Sequence, residues 1–173
     1  GALQDDQKLA SKLKEVQDTT IFTRIDVLYP DGSALATDGT RVQTELPFDE
    51  IAARGDHMSR RRTDPKTGTD VVGYAVPIED EDGIHAVLIG IMDCKQLSEL
   101  FQVKVYDEDT TVCIVDQRDG SFVMDNWHEK LGNIEDMKNR KLLNGYENVD
   151  VEKEIMNGQT GRTAFESGVN NED

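Results

Sequence analysis

Cysteine, tryptophan, histidine and proline are all scarce in this chain of 173 residues, which carries two, one, three and four of them. Two cysteines cannot build a disulfide framework. Cys94 and Cys113 both fall in apolar runs, where buried free thiols are expected. His57, His85 and His128 lie in separate stretches, with no second His or Cys at metal-ligand spacing. Positive charge is also short: 19 Lys and Arg stand against 35 Asp and Glu, a formal net charge of −16. The acidic residues are spread over the whole length. Nucleic-acid binding depends on clustered Lys and Arg, so such a partner is excluded, and the broad negative charge favours solubility. No apolar run approaches the ~20 residues needed to cross a bilayer.

Catalytic signatures are missing too. The glycine-bearing stretches "GTRVQTELPF" and "GQTGRTAF" lack the Lys-Ser/Thr ending of a phosphate loop and the spacing of a dinucleotide fingerprint. No serine sits in a nucleophile elbow. Catalytic residues, cofactors and bound metals are therefore not expected. Asp125, His128 and Glu129 are potential ligands near one helix start. The favoured alternative has Asp125 or Asn126 capping that helix and Trp127 anchoring it in a core. "EDED" (residues 79–82) matches a calcium loop only in charge and is too short.

What remains is a soluble chain whose hydrophobic share of 36% is lean but sufficient for a core. "GALQDDQKLASKLKEVQ" reads as a helix already under way, with Leu3, Leu9, Leu13 and Val16 forming a partial stripe. "IFTRIDVLYPDGSALATDG" is a strand, a Pro30-Asp31-Gly32 turn and a second strand. Ile25, Val27 and Tyr29 alternate with Arg24, Asp26 and Leu28. "PFDEIAARGD" is a short helix closed by Gly55. "HMSRRRTDPKTGTDVVGYAVPI" is a hairpin turning at 65–68. "KQLSELF" is again helical. The start then repeats in "TTVCIVDQRDGSFVMD". "NWHEKLGNIEDMKNRKLL" and "NVDVEKEIMNG" are read as helices, and "GQTGRTAFESG" as the start of a strand. Antiparallel hairpins flanked by helices make the fold α+β. The boundaries are residues 1–103 for a complete unit and 104–173 for a second, incomplete one. Both ends read as cut from a longer protein.

"HAVLIGIMDC" (residues 85–94) raises the sharpest question. As a strand it places His85, Val87, Ile89, Ile91 and Asp93 on one face, so an apolar row ends in a carboxylate. Either Asp93 points into a pocket, or it caps the following helix. Tyr74 shares a face with Val72 and Val76, while Gly73 and Ala75 occupy the opposite one, where a helix or ligand can approach closely. Tyr74 fits either a pocket or plain core. If "SRRR" is a strand, Arg60 and Arg62 point one way and Arg61 the other. They would bind an anion or defend a solvated edge strand by charge.

The ordered series "FTRIDVLYPDGSALATDG", "FDEIAARG", "TDPKTGTDVVGYAVPI" and "GIHAVLIGIMDCKQLSELF" resembles the membrane-distal module of double Cache sensor domains. "TTVCIVDQRDGSFVMDNWHEKLGNI" and "IMNGQTGRTAFES" are similar to the opening of the membrane-proximal module. The nearest flavour is the extracytoplasmic sensor of bacterial GGDEF diguanylate cyclases and of hybrid sensor histidine kinases. The resemblance implies a PAS-like fold with a long N-terminal helix, and a small-molecule ligand held between sheet and covering loops. It implies a periplasmic or extracellular location between transmembrane helices outside this fragment. A homodimer through the N-terminal helix is a further expectation. In amino-acid-binding members, an Asp at the place of Asp93 holds the ligand ammonium and an Arg-x-Trp-Tyr cluster holds the carboxylate. Aligning the last aromatic with Phe48 sets Glu45 at the Arg position and Pro47 at the Trp position. An ordinary amino acid is therefore not the expected ligand. The ligand-binding candidates are Asp93, Tyr74, Arg60, Arg62 and Phe48.

Overall fold

The computed structural model describes residues 2–101, 112–126, 130–137 and 141–164. The chain forms two compact units, residues 1–100 and 101–173. The first opens with helix α1 (Ala2–Asp18). Its spacing brings Ala10 and Leu13 to one side, where both are buried, and leaves Val16 46% exposed. Strands β1 (Arg24–Leu28), β2 (Ser33–Ala36) and β3 (Arg41–Gln43) follow as a meander. Helix α2 (Phe48–Ala53) has Arg54 as its C-cap. Gly55 comes next with φ +66, the left-handed conformation that ends helices at low cost in glycine.

Two short strands, β4 (His57–Met58) and β5 (Arg62–Thr63), replace the continuous strand expected through "SRRR". The interruption has a local cause. The Ser59 amide donates to the Gly73 carbonyl and the Ser59 hydroxyl accepts from the Gly73 amide, so a side chain takes the place of a ladder bond and residues 59–61 leave the strand. The long strands β6 (Asp70–Asp80) and β7 (Gly83–Asp93) pair over their whole length, and α3 (Cys94–Leu100) follows directly. The sheet is antiparallel, in the order β3-β2-β1-β7-β6-β4, with β5 also on β6.

The two-residue period of the strands divides the core by face. On one face Ile25, Val27, Leu35 and Ala86 pack with Leu13 of α1, and with Phe22 and Leu88 beside them. Phe22 lies over Gly90, where an added Cβ would come within 2.5 Å of the ring. Glycine there lets the aromatic lie flat on the sheet. On the other face Leu28, Ala34, Val71, Ala75, Val87, Ile89 and Ile91 pack with Ala52 of α2. Leu46, Phe48 and Ile51 close that cluster. The α+β fold with an N-terminal helix and an antiparallel sheet is thus the one expected.

In the second unit, β8 (Cys113–Val115) and β9 (Phe122–Asp125) form a hairpin. Phe122, Val123, Met124 and Ile134 are buried. The helix expected through "NWHEKLGNIEDMKNRKLL" is, among the described residues, a single 3-10 turn, Ile134–Met137. Asn133 diverts it: its side-chain oxygen accepts from the Glu135 amide while its own amide donates to Asp136. Helix α4 (Val151–Met156) starts at Asp150, whose carboxylate accepts from the Lys153 amide. Of residues 158–168, expected to begin a strand, residues 158–164 form none, and the rest lies outside the described residues. Cys94 is buried as expected, but Cys113 is exposed, because β8 shows solvent the side that the apolar run suggested was covered; neither is bridged.

Candidate functional site

Arg24 and Asp26 are one strand period apart in β1, so both project from the face that carries Leu28. Leu28 is fully buried under the α2 cluster. Towards Arg24 the covering layer parts, and a cavity of about 390 Å³ opens onto the sheet. Ala34 and Ala36 of β2 and Ile89 and Ile91 of β7 line it from the sheet. The two alanines are small, which gives the floor its depth. The β2–β3 turn supplies Asp38 and Thr40, and the segment before α2 supplies Thr44 and Leu46. Arg62 of β5 and Lys66 of the following turn complete the wall.

The cavity mixes an apolar floor with charges from four elements. Arg24 Nε donates to Asp26 Oδ2 at 2.9 Å, and its terminal nitrogen reaches Asp64 Oδ2 at 3.3 Å. Asp64 is only 6% exposed, and its other oxygen accepts from the Lys66 amide at 2.7 Å. This backbone bond, followed by the Arg24 charge, holds the Asp64 carboxyl below the usual carboxylate range. Asp26 behaves in the opposite way. Burial pushes its carboxyl up, and the Arg24 charge and hydrogen bond offset only part of that rise. Asp38 accepts from the hydroxyl and the amide of Thr40, which lowers its pKa. Arg24 therefore ties β1 to the β5–β6 turn, and the turn carries Lys66 to the cavity mouth.

Of the five residues singled out in the sequence, Arg62 alone lines this cavity. Asp93 ends β7 and caps α3, its Oδ1 accepting from the amides of Lys95 at 2.8 Å and Gln96 at 3.1 Å. Tyr74 pairs with Gly90 and Met58 in the sheet register, which sets it on the α1 side of the sheet; the cavity lies on the Gly73 and Ala75 side. Phe48 packs into the α2 cluster. Arg60 is exposed in the break between β4 and β5. Arg24, Asp26 and Lys66 were not singled out. One signal for the first two was present: charges at alternate positions of a strand whose remaining residues are apolar.

Elsewhere, residues 148–163 enclose a cleft of about 590 Å³ in the second unit. It draws on one continuous stretch of chain, with Asp150, Lys153, Glu154 and Arg162 as its charged lining. Burial raises the Cys94 thiol to about 11, with the Asp70 and Asp93 carboxylates adding to the shift, so it is not a nucleophile near neutral pH. Among the described residues no three His, Cys, Asp or Glu side chains gather as a metal site. Trp127, His128 and Glu129 lie outside the described residues. No helix among the described residues is long and apolar enough to cross a membrane.

Neither a protein-family model nor a curated protein matches the chain. Solved structures do match its fold. The isoleucine-bound sensory domain of the Campylobacter jejuni chemoreceptor Tlp3 aligns with a TM-score of 0.55 and 14% identity, over 70% of this chain and 51% of that one. The extracellular domain of mmHK1S-Z2, described as a histidine kinase, aligns with a TM-score of 0.61 and 11% identity, over 96% of this chain and 73% of that one. The GABA-bound ligand-binding domain of the Pseudomonas aeruginosa chemoreceptor PctC gives a TM-score of 0.53 and 13% identity, over 75% of this chain and 63% of that one. The chain thus spans about half the length of the Tlp3 domain. These likenesses establish a shared fold with sensor domains.

Proposed function

We propose that this chain is an extracytoplasmic ligand-sensing region of a bacterial transmembrane receptor, without catalysis of its own. The observation that carries the reading is the cavity on the β1–β2–β7 face, where an apolar floor meets charges from β1, β5 and the β5–β6 turn. Preformed concave sites with a few convergent polar groups are the usual form of small-molecule sites. The fold it shares with chemoreceptor and histidine kinase sensor domains supports the same reading. A ligand with different affinities for two arrangements of the unit would shift their balance, and that shift is the signal. The cytoplasmic output would be a diguanylate cyclase or a histidine kinase, as the sequence resemblance implies.

The alternative is a dimerisation module that works through α1. Val16 is exposed in its favour, but Ala10 and Leu13 are spent on the helix's own sheet. The deciding experiment is a thermal-shift screen over carboxylates, amines, amino acids, nucleobases and sugars. A compound that binds the folded state raises the melting temperature by mass action. Ala36→Leu, which fills the cavity floor, should abolish that rise. A full screen without a hit sensitive to Ala36→Leu would refute the sensing role of this cavity.

A further inference from the structure

We infer that the cavity selects a small organic carboxylate with a short apolar body, held by Arg62 and Lys66, and discriminates against ligands that present an ammonium group. This rests on the sensing role proposed above and deepens it. The argument is a count of what each charged group at the cavity already holds. Both lining carboxylates are engaged from within: Asp26 by Arg24 Nε at 2.9 Å, and Asp38 by the amide and hydroxyl of Thr40 at 2.9 and 2.6 Å. Asp93, the other acceptor considered for an ammonium, is committed to two amides of α3 and does not line the cavity.

The cations differ. Arg24 is fixed between Asp26 and Asp64. Among the described residues, Arg62 and Lys66 make no side-chain hydrogen bond or ion pair. They nevertheless stand on adjoining pieces of chain at the mouth of one cavity, in a protein whose net charge is −16. Both are exposed, and their charges act on Asp64, Asp26 and Asp38 without a direct bond; cations so placed can turn to an arriving carboxylate, which a guanidinium can grip through two parallel hydrogen bonds. Ala34, Ala36, Ile89 and Ile91 then offer an apolar bed for a short hydrocarbon body. An ammonium would meet carboxylates already partnered by Arg24 and Thr40 and would lie among three cations, Arg24, Arg62 and Lys66.

The test uses three probes built on one carbon skeleton: 3-methylbutanoate, valine and 2-methylpropylamine. Each is titrated calorimetrically into the chain at low ionic strength, with melting curves in parallel. The expected result is that 3-methylbutanoate binds and raises the melting temperature, that valine binds at least about tenfold more weakly, and that the amine does not bind. Arg62 and Lys66 are exposed, so Arg62→Ala and Lys66→Ala should fold normally. Each should weaken carboxylate binding about tenfold or more, whereas Asp26→Asn should strengthen it. A preference for valine or the amine would overturn the inference, as would carboxylate binding indifferent to both alanine variants. If valine is preferred and its binding is lost in Ala36→Leu, the ligand class is wrong and the cavity's sensing role stands. Binding of none of the three also overturns the inference, while the sensing role falls only with the wider screen.

Discussion

Replacing Asp93 separates two jobs that its position at the end of β7 suggests. Its Oδ1 accepts from the amides of Lys95 and Gln96, two of the donors that the first turn of any helix leaves without a partner. Helix α3 has seven residues and holds Cys94 and Leu97 in the core, so fraying its first turn loosens packing as well as hydrogen bonding. Asp93→Ala should therefore cost about 1 kcal/mol of stability. In a unit of about a hundred residues that is a fall of roughly 4–8 °C in melting temperature. Asp93→Asn keeps an acceptor oxygen and should lose only the charge–dipole part, a few tenths of a kcal/mol. Because Asp93 does not line the cavity, the affinity for 3-methylbutanoate should stay within about twofold in both variants. Far-UV melting curves give the first quantity and calorimetric titration the second. The reasoning is refuted if Asp93→Asn melts like the parent chain yet no longer binds. The carboxylate charge would then serve the ligand, and the end of β7 would belong to the site.

Two further outcomes follow from the geometry. Gly90→Ala sets a Cβ within 2.5 to 2.9 Å of three atoms of the Phe22 ring and should cost about 1–3 kcal/mol in urea unfolding; Phe22→Leu in the same chain should recover part of the loss, and a loss that persists unchanged would place the strain elsewhere. Asp64, whose folded-state pKa is depressed, contributes stability that is fully present above its unfolded value near 3.8 and is lost as pH falls through the lower folded one. Asp64→Asn should remove that part of the acid-induced loss, and a variant whose stability falls between pH 5 and 2 as steeply as the parent's would contradict it.

Local signals carried the sequence reading where the structure agrees with it. Gly55 ends α2 because only a left-handed residue closes the helix cheaply there. The apolar run 86–92 forms a central strand because both of its faces are covered. The departures have tertiary causes. Alternation places Arg24, Asp26 and Leu28 on one face of β1, but it does not say which face lies beneath α1 and which one opens. The strand pattern leaves Tyr74 open between pocket and core, and the register turns it towards the α1 side. Ser59 breaks the "SRRR" strand by a side-chain bond to a glycine 14 residues away, which no local pattern announces. Arg62 reaches the cavity because β5 resumes after that break.

The same register explains why Asp93 looks like part of a binding site. Arg62 pairs with Val71 across the β5–β6 ladder, and Val71 pairs with Asp93 across β6–β7. Cα partners in a ladder share a face, so the three residues form one row running from the cavity wall to the cap of α3. Asp93 therefore stands two ladder steps from a cation proposed to hold the ligand without lining the cavity itself. The row also defines a mechanical route. A carboxylate held by Arg62 and Lys66, as proposed above, would pull on β5 and on the turn that Arg24 anchors through Asp64. Val71 is the next residue in line, and Asp93 fixes where α3 begins. Coupling along such a row requires two discrete arrangements of the turn, each favoured by a different occupancy of the cavity. Arg24 joins the cavity to that turn, because its guanidinium bonds both Asp26 on the cavity floor and Asp64 in the turn.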